Sequence, residues 1–201
     1  MKRIGIFGGL FDPVHIGHLN MAQCALEQAK LDGVIFVPNG NPPHKNGDCA
    51  DFSHRFEMLI AATADNLRFS VSAFERTVGE YHYTVDTMRH FRTQNPDDEF
   101  FFILGADSLD YVDTWMKADE LIAENTFVAV NRNFRSGYDI KNNIADIEAK
   151  GGRVIEVEMP MIDVSSTLVR RAAAQGCDVR YLTGTQVEKY IKQNKLYTGE
   201  N

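Results

Sequence analysis

Gly8-Gly9-Leu10-Phe11-Asp12-Pro13-Val14-His15-Ile16-Gly17-His18 is the stretch on which the reading of this chain of 201 residues turns. Before it, Lys2 to Phe7 has the make-up of a short buried strand. After it, Leu19 to Lys30 carries Met21, Ala22, Ala25, Leu26 and Ala29 at helical spacing. The stretch is therefore a strand-to-helix turn. Glycines at 8 and 9 let the backbone turn tightly and approach a ligand closely, and a helix beginning near Gly17 aims its unbonded N–H groups and positive dipole end at the same spot. Such a turn is suited to an anion.

His15 and His18 stand three apart at the helix entrance, where imidazole N–H groups can join backbone donors around phosphate oxygens. Two other readings are open: both are cap or packing residues, or they hold a metal as an i, i+3 pair. No Glu or third ligand stands nearby to support the metal pair. Phosphate binding accounts for both histidines and both glycines at once.

Length, 44% hydrophobic and 24% charged residues suit one globular α/β domain with a proper core. A net charge of −7 argues against a broad nucleic-acid surface, so small nucleotides held by local donors fit better than polymers. Cys24, Cys49 and Cys177 form no C-x-x-C pair, which speaks against a disulfide framework or a zinc site and suits a reducing compartment. No run approaches a membrane span, and Met-Lys-Arg-Ile leads straight into a strand, so the expected location is the cytoplasm with no membrane partner.

Gly33 to Pro38 is a continuous apolar run bounded by Gly and Pro, the pattern of a strand buried on both faces. Strand, helix and strand within forty residues make a right-handed βαβ unit, which puts the glycine turn at the carboxyl edge of a parallel sheet. The stretch 39–51 is too rich in Gly, Pro and Asn for a regular element, and it offers His44 and Lys45 either as phosphate contacts or as solvated loop residues. Ser53 to Asp65 reads as a helix capped by Ser53, with Arg55 and Glu57 on its exposed side.

Phe69 to Ser72 is a short strand, and Tyr83-Thr84-Val85-Asp86-Thr87 opens a helix reaching about Thr93. Glu99 to Leu104, the most apolar strand, runs into Gly105-Ala106-Asp107-Ser108 and a further helix start. There Asp107 can cap the helix, bind a ribose hydroxyl or sit near a phosphate-bound magnesium. Trp115, the single tryptophan, is a core residue or a stacking platform. Asn125 to Arg132 is the next strand, with Arg132 either at phosphate or ribose or facing solvent.

A helix over 139–150, a strand over Arg153 to Val157 and a terminal helix over Gln186 to Asn194 complete the regular elements. In Val164-Ser165-Ser166-Thr167-Leu168-Val169-Arg170, hydroxyl residues cap a helix and Arg170 falls one turn inside. Exposed N–H groups, three hydroxyls and a guanidinium together would make a second phosphate cradle opposite the first.

Gly-Leu-Phe-Asp-Pro-Val-His-Ile-Gly-His-Leu resembles the signature of nucleotidyltransferases with the His-x-Gly-His motif, specifically the bacterial nicotinate-mononucleotide adenylyltransferases. Pro42-Pro43-His44-Lys45, Tyr83-Thr84-Val85-Asp86-Thr87, Gly105-Ala106-Asp107-Ser108-Leu109 and Val164-Ser165-Ser166-Thr167 with Arg170 resemble further elements of that family in the same order, and Lys195-Leu196-Tyr197 resembles its ending. Departures are Leu10, where relatives usually carry Thr or Ser, the approach Gly79-Glu80-Tyr81-His82, and Arg132-Asn133-Phe134 where many relatives have Arg-Pro-Gly.

The resemblance implies an α/β, Rossmann-like doubly wound, mainly parallel sheet with helices on both faces. It also implies a single nucleotidyltransferase domain over 1–201 with a small helical part from about 165. It implies transfer of the adenylyl group of ATP to nicotinate mononucleotide, with Mg²⁺ bound through the ATP phosphates. His18, His15, Lys45 and Arg170 would be catalytic. ATP would be held by Gly8, Gly9, Leu10, Phe11, His15, His18, Gly105, Asp107, Ser165, Ser166, Thr167 and Arg170; the mononucleotide by Lys45, Thr84, Trp115 and Arg132. The rival readings are a related transferase such as one using phosphopantetheine, or a nucleotide-binding regulatory domain without turnover. An NAD-dependent oxidoreductase is disfavoured, since no G-x-G-x-x-G follows a strand. Neither oligomeric state nor preference for the acid over the amide mononucleotide is set by the sequence.

Overall fold

A computed structural model of the chain describes residues 1–40, 49–76, 82–131 and 140–199. Six strands, β1 (Arg3–Gly9), β2 (Gly33–Pro38), β3 (Phe69–Val71), β4 (Glu99–Gly105), β5 (Thr126–Asn131) and β6 (Arg153–Glu158), form one parallel sheet in the order β3-β2-β1-β4-β5-β6. That is the order of a doubly wound Rossmann-like sheet, in which the chain reverses direction at β1. The reversal places β1 and β4 side by side, with Arg3 opposite Glu99 and Phe7 opposite Ile103.

Among the described residues eight helices connect and follow the strands: α1 (Ile16–Gln28), α2 (Phe52–Thr63), α3 (Thr84–Gln94), α4 (Ala118–Glu124), α5 (Lys141–Ala149), α6 (Ser166–Ala174), α7 (Arg180–Thr183) and α8 (Thr185–Gln193). Short 3-10 segments lie over Phe74–Arg76 and Ala106–Thr114. None of the helices is long and apolar enough to cross a membrane, among the described residues.

The residues cluster into two compact units that alternate along the chain. The first comprises Met1–Gly8, Met21–Ile35 and His82–Met161, and the second Gly9–Asn20, Phe36–Tyr81 and Ile162–Asn201. The first unit is organised on β4 and β5, whose residues Phe100 to Leu104 and Phe127 to Val130 are all buried. Runs without polar alternation are what a strand covered on both faces requires. On its surface Arg89 bridges to Glu120 and Glu124, tying α3 to α4; at that exposure the ion pairs add little stability.

The second unit is built around α2 and α8, where His54 Nδ1 and the Tyr190 hydroxyl share a 3.1 Å hydrogen bond. Here the expectation for Arg55 is corrected. Glu57 is exposed as read from the sequence, but Arg55 is 1% exposed and points inward. Its guanidinium donates to three carbonyls, Nε to Ala50 at 3.0 Å, Nη1 to Leu10 at 2.9 Å and Nη2 to Asn39 at 2.8 Å. Carbonyls of bending loops lack ladder partners, and one fork-shaped cation meets three of them. Ser53 is likewise not the cap of this helix: Asp51 holds the N-cap position and Ser53 is its second residue.

Candidate functional site

The turn predicted from the glycines lies where β1 ends, within the second unit. Phe11 adopts a left-handed conformation (φ 50°), which swings its ring inward, edge-on to Phe36 at 5.8 Å and to His18 at 5.0 Å. Gly9 is required beside it: a Cβ there would stand 3.0 Å from the Phe11 ring. Leu10 between them is exposed, and its carbonyl is held by Arg55. The missing hydroxyl at residue 10 thus leaves the backbone path of the turn anchored.

The helix opens at Ile16, with His15 and His18 forming its mouth. The His18 N–H bonds the His15 carbonyl at 2.9 Å, and the His15 N–H donates in return to His18 Nδ1 at 3.3 Å. The second bond is the return half of a capping box, with imidazole in place of a carboxylate. An acceptor at Nδ1 places the ring proton of His18 on Nε2, making that atom a donor. The two rings stack with centroids 3.7 Å apart. Gly17 makes the stack feasible, because a Cβ there would lie 3.0 Å from His15 Cε1, His15 Nδ1 and Val164 Cγ1.

The hydroxyl cluster expected to make a second cradle lies at the start of α6. Ser165 is the N-cap and its Oγ accepts the Leu168 N–H at 3.2 Å, leaving its own proton to donate outward. Ser166 and Arg170 do something the sequence did not foretell: they tie this helix to the first turn. Ser166 Oγ donates to the Pro13 carbonyl at 2.9 Å, and Arg170 Nη1 donates to the Asp12 carbonyl at 2.7 Å. Arg170 Nη2 reaches Thr167 Oγ1 at 3.4 Å. Two helix N-termini, each a source of unbonded N–H groups, are therefore fastened to one another through residues 12 and 13.

Asp12 is the hub of this junction and was absent from the residues singled out in the sequence. It is 2% exposed. Its Oδ1 accepts the Ala50 N–H at 3.2 Å and the Tyr197 hydroxyl at 2.5 Å, while Oδ2 lies 3.7 Å from Arg170 Nη1. Burial pushes the Tyr197 phenol above its usual range, and the neighbouring Asp12 carboxylate adds to the rise. Asp-Pro inside the glycine turn and a tyrosine at the chain end are separated by too much sequence for either to signal the other.

Of the expected site residues, Gly9, Leu10, Phe11, His15, His18, Ser165, Ser166, Thr167 and Arg170 thus come together in the second unit. Gly8, Thr84, Gly105, Asp107 and Trp115 belong to the first. Thr84 is the first residue of α3, Gly105 is the N-cap of the following 3-10 segment, and Asp107 lies in its first turn. Trp115 is half-buried and packs edge-on against Phe102 at 5.9 Å. Lys45, with His44, and Arg132 lie outside the described residues. Among the described residues no three His, Cys, Asp or Glu side chains gather as a metal site.

The sequence profile of the cytidylyltransferase-like family matches residues 6–172. A probable nicotinate-nucleotide adenylyltransferase of Caldicellulosiruptor bescii is 38% identical over 196 residues, spanning 97% of this chain and 98% of that one. Its counterpart from Exiguobacterium sibiricum is 42% identical over 195 residues, again 97% and 98%. Among solved structures, nicotinic acid mononucleotide adenylyltransferase of Plasmodium falciparum complexed with NaAD matches with a TM-score of 0.80 at 20% identity over 98% of both chains, a likeness of fold. With a profile match over most of its length and relatives aligned nearly end to end, the chain belongs to the cytidylyltransferase-like family and, within it, to the nicotinate-nucleotide adenylyltransferases.

Proposed function

We infer that this chain transfers the adenylyl group of ATP to nicotinate mononucleotide, giving nicotinate adenine dinucleotide and pyrophosphate. Its full-length likeness to nicotinate-nucleotide adenylyltransferases supports the reaction. The observation that carries the mechanism is the fastening of the α1 and α6 mouths through Asp12 and Pro13. Two donor sets held in register can grip a polyphosphate along its length.

In this mechanism an oxygen of the mononucleotide phosphate attacks the α-phosphorus of ATP in line. The new P–O bond forms as the bond from the α-phosphorus to the bridging oxygen breaks, and the electron pair leaves on pyrophosphate. The acceptor is already an anion, so no protein base or nucleophile is needed; catalysis consists of alignment and stabilisation of charge on the leaving group. His18 donates from Nε2, with His15, Lys45 and Arg170 sharing the developing charge. Backbone from Gly8 to Phe11, with Gly105, Asp107 and the Ser165–Thr167 hydroxyls, holds ATP.

Thr84, Trp115, Lys45 and Arg132 are assigned to the mononucleotide, with the Trp115 ring facing the pyridine. Nucleotidyltransferases generally use a divalent ion. At this junction the outward donors are main-chain N–H groups, the His18 imidazole and the Arg170 guanidinium, which suit phosphate oxygens, while the buried Asp12 carboxylate is committed to Tyr197 and Ala50. Mg²⁺ accordingly enters as part of the ATP substrate, bound by phosphates and water. The whole of 1–201 acts as one catalytic domain, operating in the cytoplasm without nucleic acid.

The test is release of pyrophosphate on mixing the protein with ATP, Mg²⁺ and nicotinate mononucleotide, run beside nicotinamide mononucleotide and phosphopantetheine. Turnover with phosphopantetheine alone, or with no acceptor, would refute the assignment. The ratio of the first two rates fixes the preference for acid over amide.

A further inference from the structure

Tyr197, beyond α8, reaches Asp12 within the second unit. After α8 the backbone closes through Lys195 N–H to Lys192 O at 3.3 Å and Leu196 N–H to Ile191 O at 3.0 Å, then holds Tyr197 in the left-handed region (φ 59°). A non-glycine residue keeps such a conformation where its surroundings over-determine it. What holds it here is the 2.5 Å hydrogen bond from its hydroxyl to Asp12 Oδ1, across 185 positions of sequence.

That bond governs where the Asp12 charge points. With Oδ1 occupied by the Tyr197 hydroxyl and the Ala50 N–H, the carboxylate's orientation is fixed and Oδ2 faces Arg170 at 3.7 Å, too far for a direct hydrogen bond. Arg170 is instead pinned at one corner by the Asp12 main-chain carbonyl, at 2.7 Å. A planar guanidinium held firmly by Nη1 and only loosely by Nη2, at 3.4 Å from Thr167 Oγ1, with a buried carboxylate beside it that orients without capturing it, keeps its remaining N–H groups available to an anion. Were the carboxylate free to rotate, the two opposite charges would close to a direct pair, and Arg170 would be drawn from phosphate toward Asp12.

We propose that Tyr197 and Asp12 are positioning residues for adenylyl transfer, with the Tyr197 hydroxyl locking the carboxylate so that Arg170 is aimed at the polyphosphate instead of collapsing onto Asp12. The proposal rests on Arg170 contacting phosphate, as in the function inferred above, and it adds Tyr197 to the determinants of that contact.

The experiment is a double-mutant cycle on the full chain, with kcat and KM measured separately for ATP and for nicotinate mononucleotide. Tyr197→Phe removes one oxygen and should lower kcat/KM for ATP about tenfold, with KM for the mononucleotide unchanged. In an Arg170→Ala background the same change should cost less than about twofold, because its only target is gone. Asp12→Asn removes the charge that would capture Arg170, so in that background Tyr197→Phe should likewise cost less than about twofold. Equal losses in both backgrounds would mean that Tyr197 acts through the fold alone, and a Tyr197→Phe enzyme within about twofold of the parent would show no lock; either overturns the proposal. Full activity of Arg170→Ala by itself would overturn the phosphate role of Arg170, and the lock with it.

Discussion

Replacing Arg55 with methionine removes a buried cation while keeping most of the apolar volume of its stem. Three carbonyls, of Leu10, Asn39 and Ala50, then lose their donor together. An unmet buried polar group costs about 1–3 kcal/mol, so the gross loss is roughly 3–9 kcal/mol. Leu10 is 38% exposed and Asn39 and Ala50 are half-buried, so water can reach each of them and the lower end applies, about 3 kcal/mol. For a chain of this length that corresponds to a fall in Tm of roughly 6–12 °C. The assay is thermal and urea unfolding of Arg55→Met and Arg55→Lys beside the parent, the lysine variant recovering part of the loss because an ammonium can reach fewer of the three oxygens. A loss below about 1 kcal/mol for the methionine variant would refute the view that one guanidinium gathers these loops.

Three other outcomes follow from the same geometry. His18→Ala should lower kcat by about a hundredfold, as for loss of a preorganised donor, and a loss under about tenfold, near 1.4 kcal/mol, would contradict a direct role in the transition state. Gly17→Ala puts a Cβ 3.0 Å from His15 and Val164. The crowding of about 1–3 kcal/mol is offset by up to about 1 kcal/mol of helix propensity, so stability should change by under about 2 kcal/mol while kcat falls; full activity at unchanged stability would show the tight fit to be irrelevant. The raised Tyr197 phenol sets the sign of an alkaline effect: it protects the fold fully below the unfolded phenol value of about 10, and that protection is lost as pH rises above it. Unfolding free energy measured from pH 8 to 11 should therefore decline less steeply in Tyr197→Phe than in the parent, and parallel curves would exclude the effect.

Much of the fold was legible from local pattern. Gly33–Pro38 is a strand with the bounds its Gly and Pro suggest, and the helix entrance falls at Ile16, one residue before the glycine that announced it. The two readings that differ are a polar side chain that faces inward and a helix boundary. Arg55 looked like a solvated residue on an amphipathic helix because its partners are main-chain carbonyls, which leave no trace in side-chain periodicity. Ser53 looked like a cap because it precedes an apolar run, yet the helix begins one residue before it.

The sequence by itself determined the strand-to-helix turn, the parallel sheet and the two clusters of donors, because glycine spacing, apolar runs and cap chemistry are properties of neighbouring residues. Only the tertiary structure decided that Ser166 and Arg170 are spent partly on fastening those clusters together, that Asp12 stands at their junction, and that Tyr197 closes on it from the far end of the chain. The physical reason is distance along the polymer. A hydrogen bond between residues 153 to 185 positions apart depends on how every intervening element packs, and no local propensity encodes it.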